Sequence, residues 1–133
     1  MKPEAAKWIR RAHKSLRSAA VLLEHELLED SVSRAYYAMF HGAKALLAEY
    51  GPNVSKHSAV IAAFGHDFAA ERILDPEYHL YLREAFVQRN SADYDPDASF
   101  RLSDVEEMVR RARAFLAAVE EYLQAHPDEE PSP

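Results

Sequence analysis

The stretch Ser31–Gly51, SVSRAYYAMFHGAKALLAEYG, limits the fold more than any other part of the chain. Val32, Tyr36, Met39, Phe40, Ala43, Leu46, Leu47 and Tyr50 recur at three- and four-residue spacing, which draws one wide apolar stripe on a helix. Asp30 stands where an N-cap belongs, its carboxylate able to accept the first unpaired N–H groups. Gly51 followed by Pro52 is the matching stop, because Gly adopts φ > 0 freely and Pro cannot continue the helix. Arg34, Tyr37, His41 and Lys44 keep the same spacing and form a second, polar stripe, a face able to hold an anion. Ala35, Ala38 and Ala43 let neighbouring helices come close. The segment reads as the central helix of a bundle.

A chain of 133 residues, 48% of them hydrophobic, is long enough for one domain with a real core. Its 3 glycines are too few for a loop-rich β fold, and the absence of cysteine removes disulfides, thiolate catalysis and Cys-type zinc sites. The start, MKPEAAKWIRRAHKS, has no apolar signal core, and no run approaches the ~20 apolar residues of a membrane span. A soluble, cytoplasmic protein with no membrane partner is expected. The net charge of −6 counts against a surface that wraps duplex nucleic acid, but leaves room for a small basic cleft.

In chain order, a first helix is predicted from Pro3 to about Leu28, with Ala5, Trp8, Ala12, Leu16, Ala19, Leu23 and Leu27 inward. Its other face carries Lys7, Arg10, Arg11, Lys14 and Arg17, either as an ordinary solvated face or as an approach surface for a polyanion. The short link to the second helix makes the pair antiparallel. A third, shorter helix runs His57–Ala70, capped by Ser55 or Ser58 and bent near Gly65. Asp75-Pro76-Glu77 starts a fourth helix that turns Tyr78, Tyr81, Leu82, Ala85 and Phe86 inward and ends near Arg89–Asn90. Ser91–Ser103 reads as an ordered loop, and Ser103 with Glu106 as the capping box of a fifth helix. The fold class is all-α, an antiparallel four- to five-helix bundle: one domain over 1–126 and a disordered acidic, Pro-containing tail over 127–133.

Motifs for chemistry are few. The glycines are isolated, so no phosphate-cradling loop exists, and neither Glu-x-x-His nor His-x-x-x-His occurs. Neither a metal nor a cofactor is expected. Arg89 is the costly residue, because it continues the inward stripe of Tyr78, Leu82 and Ala85. An unpaired buried charge costs several kcal/mol, so Arg89 needs a partner. Asp93 can close the helix end as an ion pair, or the guanidinium can be held at a cleft to grip a phosphate.

Three segments, SRAYYAMFHGAKALL (Ser33–Leu47), SKHSAVIAAF (Ser55–Phe64) and QRNSADY (Gln88–Tyr94), in that order, resemble the HEPN family, named for nucleotide binding in higher eukaryotes and prokaryotes. The resemblance runs from about Trp8 to Leu123. It implies a compact helical bundle that dimerises and that pairs with a minimal nucleotidyltransferase encoded alongside, often as a toxin–antitoxin couple. It also implies kinship with metal-independent ribonucleases, whose motif is an Arg followed four to six residues later by a His, two such motifs meeting across the dimer. Arg89 falls on the Arg position and Tyr94 on the His position. With a pKa of about 10, an unperturbed Tyr is a poor base for a ribose 2′-hydroxyl. Arg34…His41 and Arg72…His79 match the loose spacing elsewhere in the chain.

The expected function is therefore a non-catalytic module, dimeric and partnered with a nucleotidyltransferase. It binds a nucleotide or RNA phosphate through Arg89, Asn90, Asp93, Tyr94, Tyr37 and Lys44. The alternative is a metal-independent ribonuclease toxin in which Arg89 works with Tyr94, Asp93 or His41, provided His41 approaches Arg89. A further alternative is a helical scaffold without a ligand. Tyr36, Tyr37 and Phe40 either pack the core or offer a stacking surface to a base.

Overall fold

The computed structural model describes residues 1–127. Five helices make up the described residues: α1 (Pro3–Glu24), α2 (Leu28–Tyr50), α3 (His57–Phe64), α4 (Glu77–Tyr94) and α5 (Leu102–Ala125). No strand occurs among them. Apart from its first residue, the expected tail over 127–133 lies outside the described residues.

α2 is the axis. It packs against α1, α3, α4 and α5, and Val32, Ala35, Tyr36, Ala38, Met39, Ala43, Ala45, Leu46 and Leu47 are all at most 2% exposed. Phe115, Leu116, Val119 and Leu123 of α5 and Leu82 of α4 close the core around it. Cross-links between α1 and α2 run in opposite chain directions: Ala19 meets Ser31, Ser15 meets His41, and Lys2 meets Glu49. That order makes the first two helices antiparallel, as their short link requires.

Several boundaries differ from the expectation. α1 stops at Glu24, not near Leu28, because His25, Glu26 and Leu27 form a Schellman turn. The Leu27 N–H reaches the Leu22 carbonyl and the Glu26 N–H the Leu23 carbonyl, both at 2.9 Å. Glu26 takes the left-handed position, φ 56°, where glycine is usual. α2 begins at Leu28 with no side-chain cap, so Asp30 lies inside the first turn, where a carboxylate favours the positive end of the helix dipole. α3 is capped by neither Ser55 nor Ser58, and at Gly65 it widens into a π-helical turn over Gly65–Ala69. A Cβ on Gly65 would sit 2.5 Å from Nε2 of His79, so a side chain there would displace the His79 ring. The Asp75 carboxylate accepts the Glu77 N–H at 2.9 Å, as the start signal for α4 implies.

α4 continues to Tyr94 and does not end at Arg89–Asn90. An Arg89–Asp93 pair one turn apart supports the last turn, and Ala92 packs on the core. The stop comes at Asp95, which precedes Pro96 and is extended, as a residue before proline prefers. α5 starts at Leu102, so Ser103 is helical and no capping box forms; the Val105 N–H reaching the Arg101 carbonyl opens the ladder.

The exposed, left-handed Glu26 carries a Cβ penalty of about 1 kcal/mol. Glu26→Gly is expected to raise stability by about 0.5–1 kcal/mol, read as a higher urea midpoint at unchanged slope. A lower midpoint would show that the Glu26 side chain stabilises the turn.

Candidate functional site

Arg89 sits on the last turns of α4, where that helix faces α2. Its side chain is 13% exposed. One terminal nitrogen, Nη2, donates to the Tyr37 hydroxyl at 2.8 Å, and the other, Nη1, donates to Oδ1 of Asn90 at 3.0 Å. Asp93 Oδ2 lies 3.0 Å from Nε, an ion pair whose oxygen stands off the N–H line, so this buried N–H makes no hydrogen bond. The Ser33 hydroxyl reaches the same carboxylate oxygen at 3.5 Å. The guanidinium carbon is 5.3 Å from the Tyr37 ring centre, 5.5 Å from that of Tyr94 and 5.8 Å from that of Tyr36. A guanidinium has five N–H donors; Tyr37 and Asn90 take one on each terminal nitrogen, and Asp93 meets Nε as an ion pair alone. One N–H on each terminal nitrogen is left, the fork that suits a phosphate.

The sequence-predicted residues divide into two groups. Arg89, Asn90, Asp93, Tyr94 and Tyr37 come together, with Tyr94 at the rim and 72% exposed. His41 and Lys44 do not join them. The Lys44 ammonium donates to the Val54 carbonyl at 2.5 Å and lies 5.1 Å from the Trp8 ring centre. His41 is 7% exposed, its Nδ1 3.3 Å from the Ser15 hydroxyl and its ring against Trp8 and Tyr37. Tyr37 stands between the two candidates: its hydroxyl serves Arg89 while its ring centre lies 5.6 Å from that of His41.

A different histidine approaches Arg89, one that the sequence marked only as the start of a helix. His57, the first residue of α3, has Nδ1 2.6 Å from the Tyr36 hydroxyl and stacks on Phe40 at 4.3 Å. Burial, then the charge of Arg89, lower its pKa and keep it neutral. Burial likewise pushes the Tyr36 hydroxyl above its ordinary value, against the opposing pull of Arg89. The one available signal was Lys56-His57 following a turn, which does not tell that the imidazole folds back over α2.

The all-α bundle thus holds a largely buried arginine near the end of α4 against aromatic side chains of α2. The HEPN domain model matches residues 5–122, and the chain belongs to the HEPN family. It is 36% identical over 117 residues to a UPF0332 protein of Thermotoga maritima, covering 88% of this chain and 89% of the relative. Two proteins of Methanocaldococcus jannaschii that carry the name "Putative toxin" are also similar. One is 36% identical over 122 residues (92% of this chain, 83% of the relative) and the other 35% identical over 112 (84% and 83%). None of the helices among the described residues is long and apolar enough to cross a membrane.

His41 makes stability depend on pH. Burial, then the guanidinium groups of Arg11 and Arg34, lower its pKa from 6.5 to about 4, despite a main-chain hydrogen bond at Arg11. The folded state therefore binds its proton later than the unfolded chain does. The stabilisation is complete above pH 6.5 and is lost as pH falls toward 4, a difference of about 3 kcal/mol. Urea midpoints from pH 7.5 to 4 are expected to fall more steeply for the wild type than for His41→Phe. Parallel curves would show that His41 does not carry the effect.

Proposed function

We propose that this chain is a dimeric HEPN module that binds a nucleotide or RNA phosphate at Arg89 and acts with a nucleotidyltransferase partner as a toxin–antitoxin pair. The observation that carries the reading is the Arg89 cradle. Three neighbours orient the guanidinium and leave an N–H on each terminal nitrogen, beside an exposed ring suited to stacking on a base. Tyr94 in place of the motif histidine argues for binding without turnover. The relatives named as toxins support the biological setting. For the dimer, α4 exposes Leu80, Val87 and Tyr94 at seven-residue spacing, 42, 63 and 72% exposed, an apolar row beside Arg89. A cytoplasmic location fits the partner chemistry.

Replacing Arg89 removes charge-assisted hydrogen bonds each worth about 1.5–3 kcal/mol. Arg89→Ala is expected to keep the helical fold and the dimer while nucleotide affinity, measured by calorimetry, falls about tenfold to a hundredfold. Equal affinity would remove Arg89 from the site.

A second reading, a metal-independent ribonuclease, is favoured by one observation: a neutral imidazole held near the guanidinium. With Nδ1–H donating to Tyr36, His57 Nε2 has its lone pair free. It can take the proton of a ribose 2′-hydroxyl as that oxygen attacks phosphorus, while the 5′-oxygen leaves with a proton from water and Arg89 balances the added charge. Mixed RNA incubated with and without chelator separates the readings. The binding reading expects no cleavage. Cleavage that survives chelator and is lost in both Arg89→Ala and His57→Ala would make the protein a ribonuclease.

A further inference from the structure

A second cluster of charge lies outside the Arg89 cradle. Lys7, Arg10, Arg11 and Lys14 on α1 and Arg34 on α2 line one cleft of about 660 Å³, floored by Ser15, Ser18 and His41. No carboxylate lines it. The chain as a whole carries −6, so a cluster of five cations is not what its composition distributes by default. Among the described residues no carboxylate comes within 4.0 Å of Arg10, Arg11, Lys14 or Arg34, and Lys7 meets Glu4 only at 4.0 Å. The contrast is with α5, where Arg110 and Arg111 are both paired, to Glu107 and to Glu107 and Glu84. Single cations without a carboxylate within 4.0 Å also stand elsewhere, Arg83 on α4 and Arg113 on α5 among them; what sets this group apart is that five line one cleft.

The cleft connects to the cradle. The Arg34 guanidinium lies 4.7 Å from the Tyr37 ring centre, and the Tyr37 hydroxyl takes a hydrogen bond from Arg89. At a rise of 1.5 Å per residue, Lys7 to Lys14 spans about 10 Å, longer than one phosphate group and suited to successive phosphates of a chain. The lining also argues about the kind of partner. A protein–protein interface is anchored by apolar or aromatic side chains in buried pockets, and this cleft offers serines and cations with no apolar anchor. A polyanion needs none, because released counterions drive its binding.

We infer that this cleft is a track for single-stranded RNA, holding the phosphates next to the one gripped by Arg89. The inference rests on the reading of Arg89 as a phosphate grip, and extends it from a single nucleotide to a strand. Each cation on the track contributes to the salt dependence, about 0.7 in the slope of log affinity against log salt for a single strand. The track is sequence-tolerant, since lysine and arginine here meet phosphates and not base edges.

The test compares wild type, the exposed-surface double variant Arg10→Glu with Lys14→Glu, and Arg89→Ala. Two probes are titrated by fluorescence anisotropy over a salt series: labelled single-stranded RNA of about twelve nucleotides, within the usual site-size range, and a labelled mononucleotide. Circular dichroism checks that each variant folds. The double reversal is expected to weaken RNA binding at least about thirtyfold, to lower the salt slope by about 1.4, and to leave mononucleotide affinity within about twofold. Arg89→Ala is expected to weaken both probes. If the double reversal binds RNA like the wild type while Arg89→Ala fails on both probes, the track is overturned and the phosphate grip stands. If the reversal weakens RNA while Arg89→Ala changes neither probe, the track stands and the grip falls. Absence of RNA binding in the wild type overturns the track. So does a double variant that keeps RNA binding but no longer retains a co-expressed acidic partner protein, since the cleft would then be a protein-docking surface.

Discussion

Burial of α2 on almost every side is the constraint from which the rest of the molecule follows. A helix packed against four others has little solvent face to which its polar residues can be sent. Tyr36, His41, Lys44 and Glu49, all under 10% exposed, must then find partners inside. Each does: Tyr36 meets His57, His41 meets Ser15, Lys44 meets the Val54 carbonyl and Glu49 takes the Lys2 amide. These bonds tie α1, α3 and the turn after α2 to specific heights on the central helix. A buried polar group left without a partner costs about 1–3 kcal/mol, so the polar contacts select one register where apolar packing alone tolerates several.

The same constraint decides how much could be read from the sequence. The five helices were legible because apolar residues at helical spacing have few other uses in a chain with 3 glycines. On α5 the buried residues Val105, Met108, Val109, Ala112, Phe115, Leu116, Val119 and Leu123 keep that helical spacing. The polar stripe of α2 was misjudged as a single face. Spacing placed Arg34, Tyr37, His41 and Lys44 in line, yet the cover of α1 buries His41 and Lys44 and leaves Arg34 and Tyr37 nearer the surface. Ile9 and Ser15 on α1, absent from its expected inner stripe, belong to that cover.

The cradle itself was half legible. Arg89 and Asp93 one helical turn apart predicted an ion pair, and the pair is there. The sequence assigned the two residues to different elements, helix and loop, because Asn, Ser and Asp are weak helix formers and local propensity missed a turn that side-chain pairing supports. His57 was not legible as a neighbour of Arg89. Its placement depends on how α3 folds back over α2, a tertiary fact that no local pattern encodes. The end of α1 was hidden for the opposite reason, since the left-handed position that normally advertises a helix stop with glycine is filled by Glu26.

Trp8 is the chain's single tryptophan, and its surroundings give it a use that has nothing to do with packing. Its ring centre lies 5.4 Å from that of His41, 5.1 Å from the Lys44 ammonium and 6.0 Å from the Arg11 guanidinium. Indole emission responds to charge held against the ring, and two of these neighbours also line the cation-rich cleft of α1 and α2. The molecule therefore carries an intrinsic optical probe, in contact with two residues of that cleft, that reports on occupancy and protonation there without any label attached.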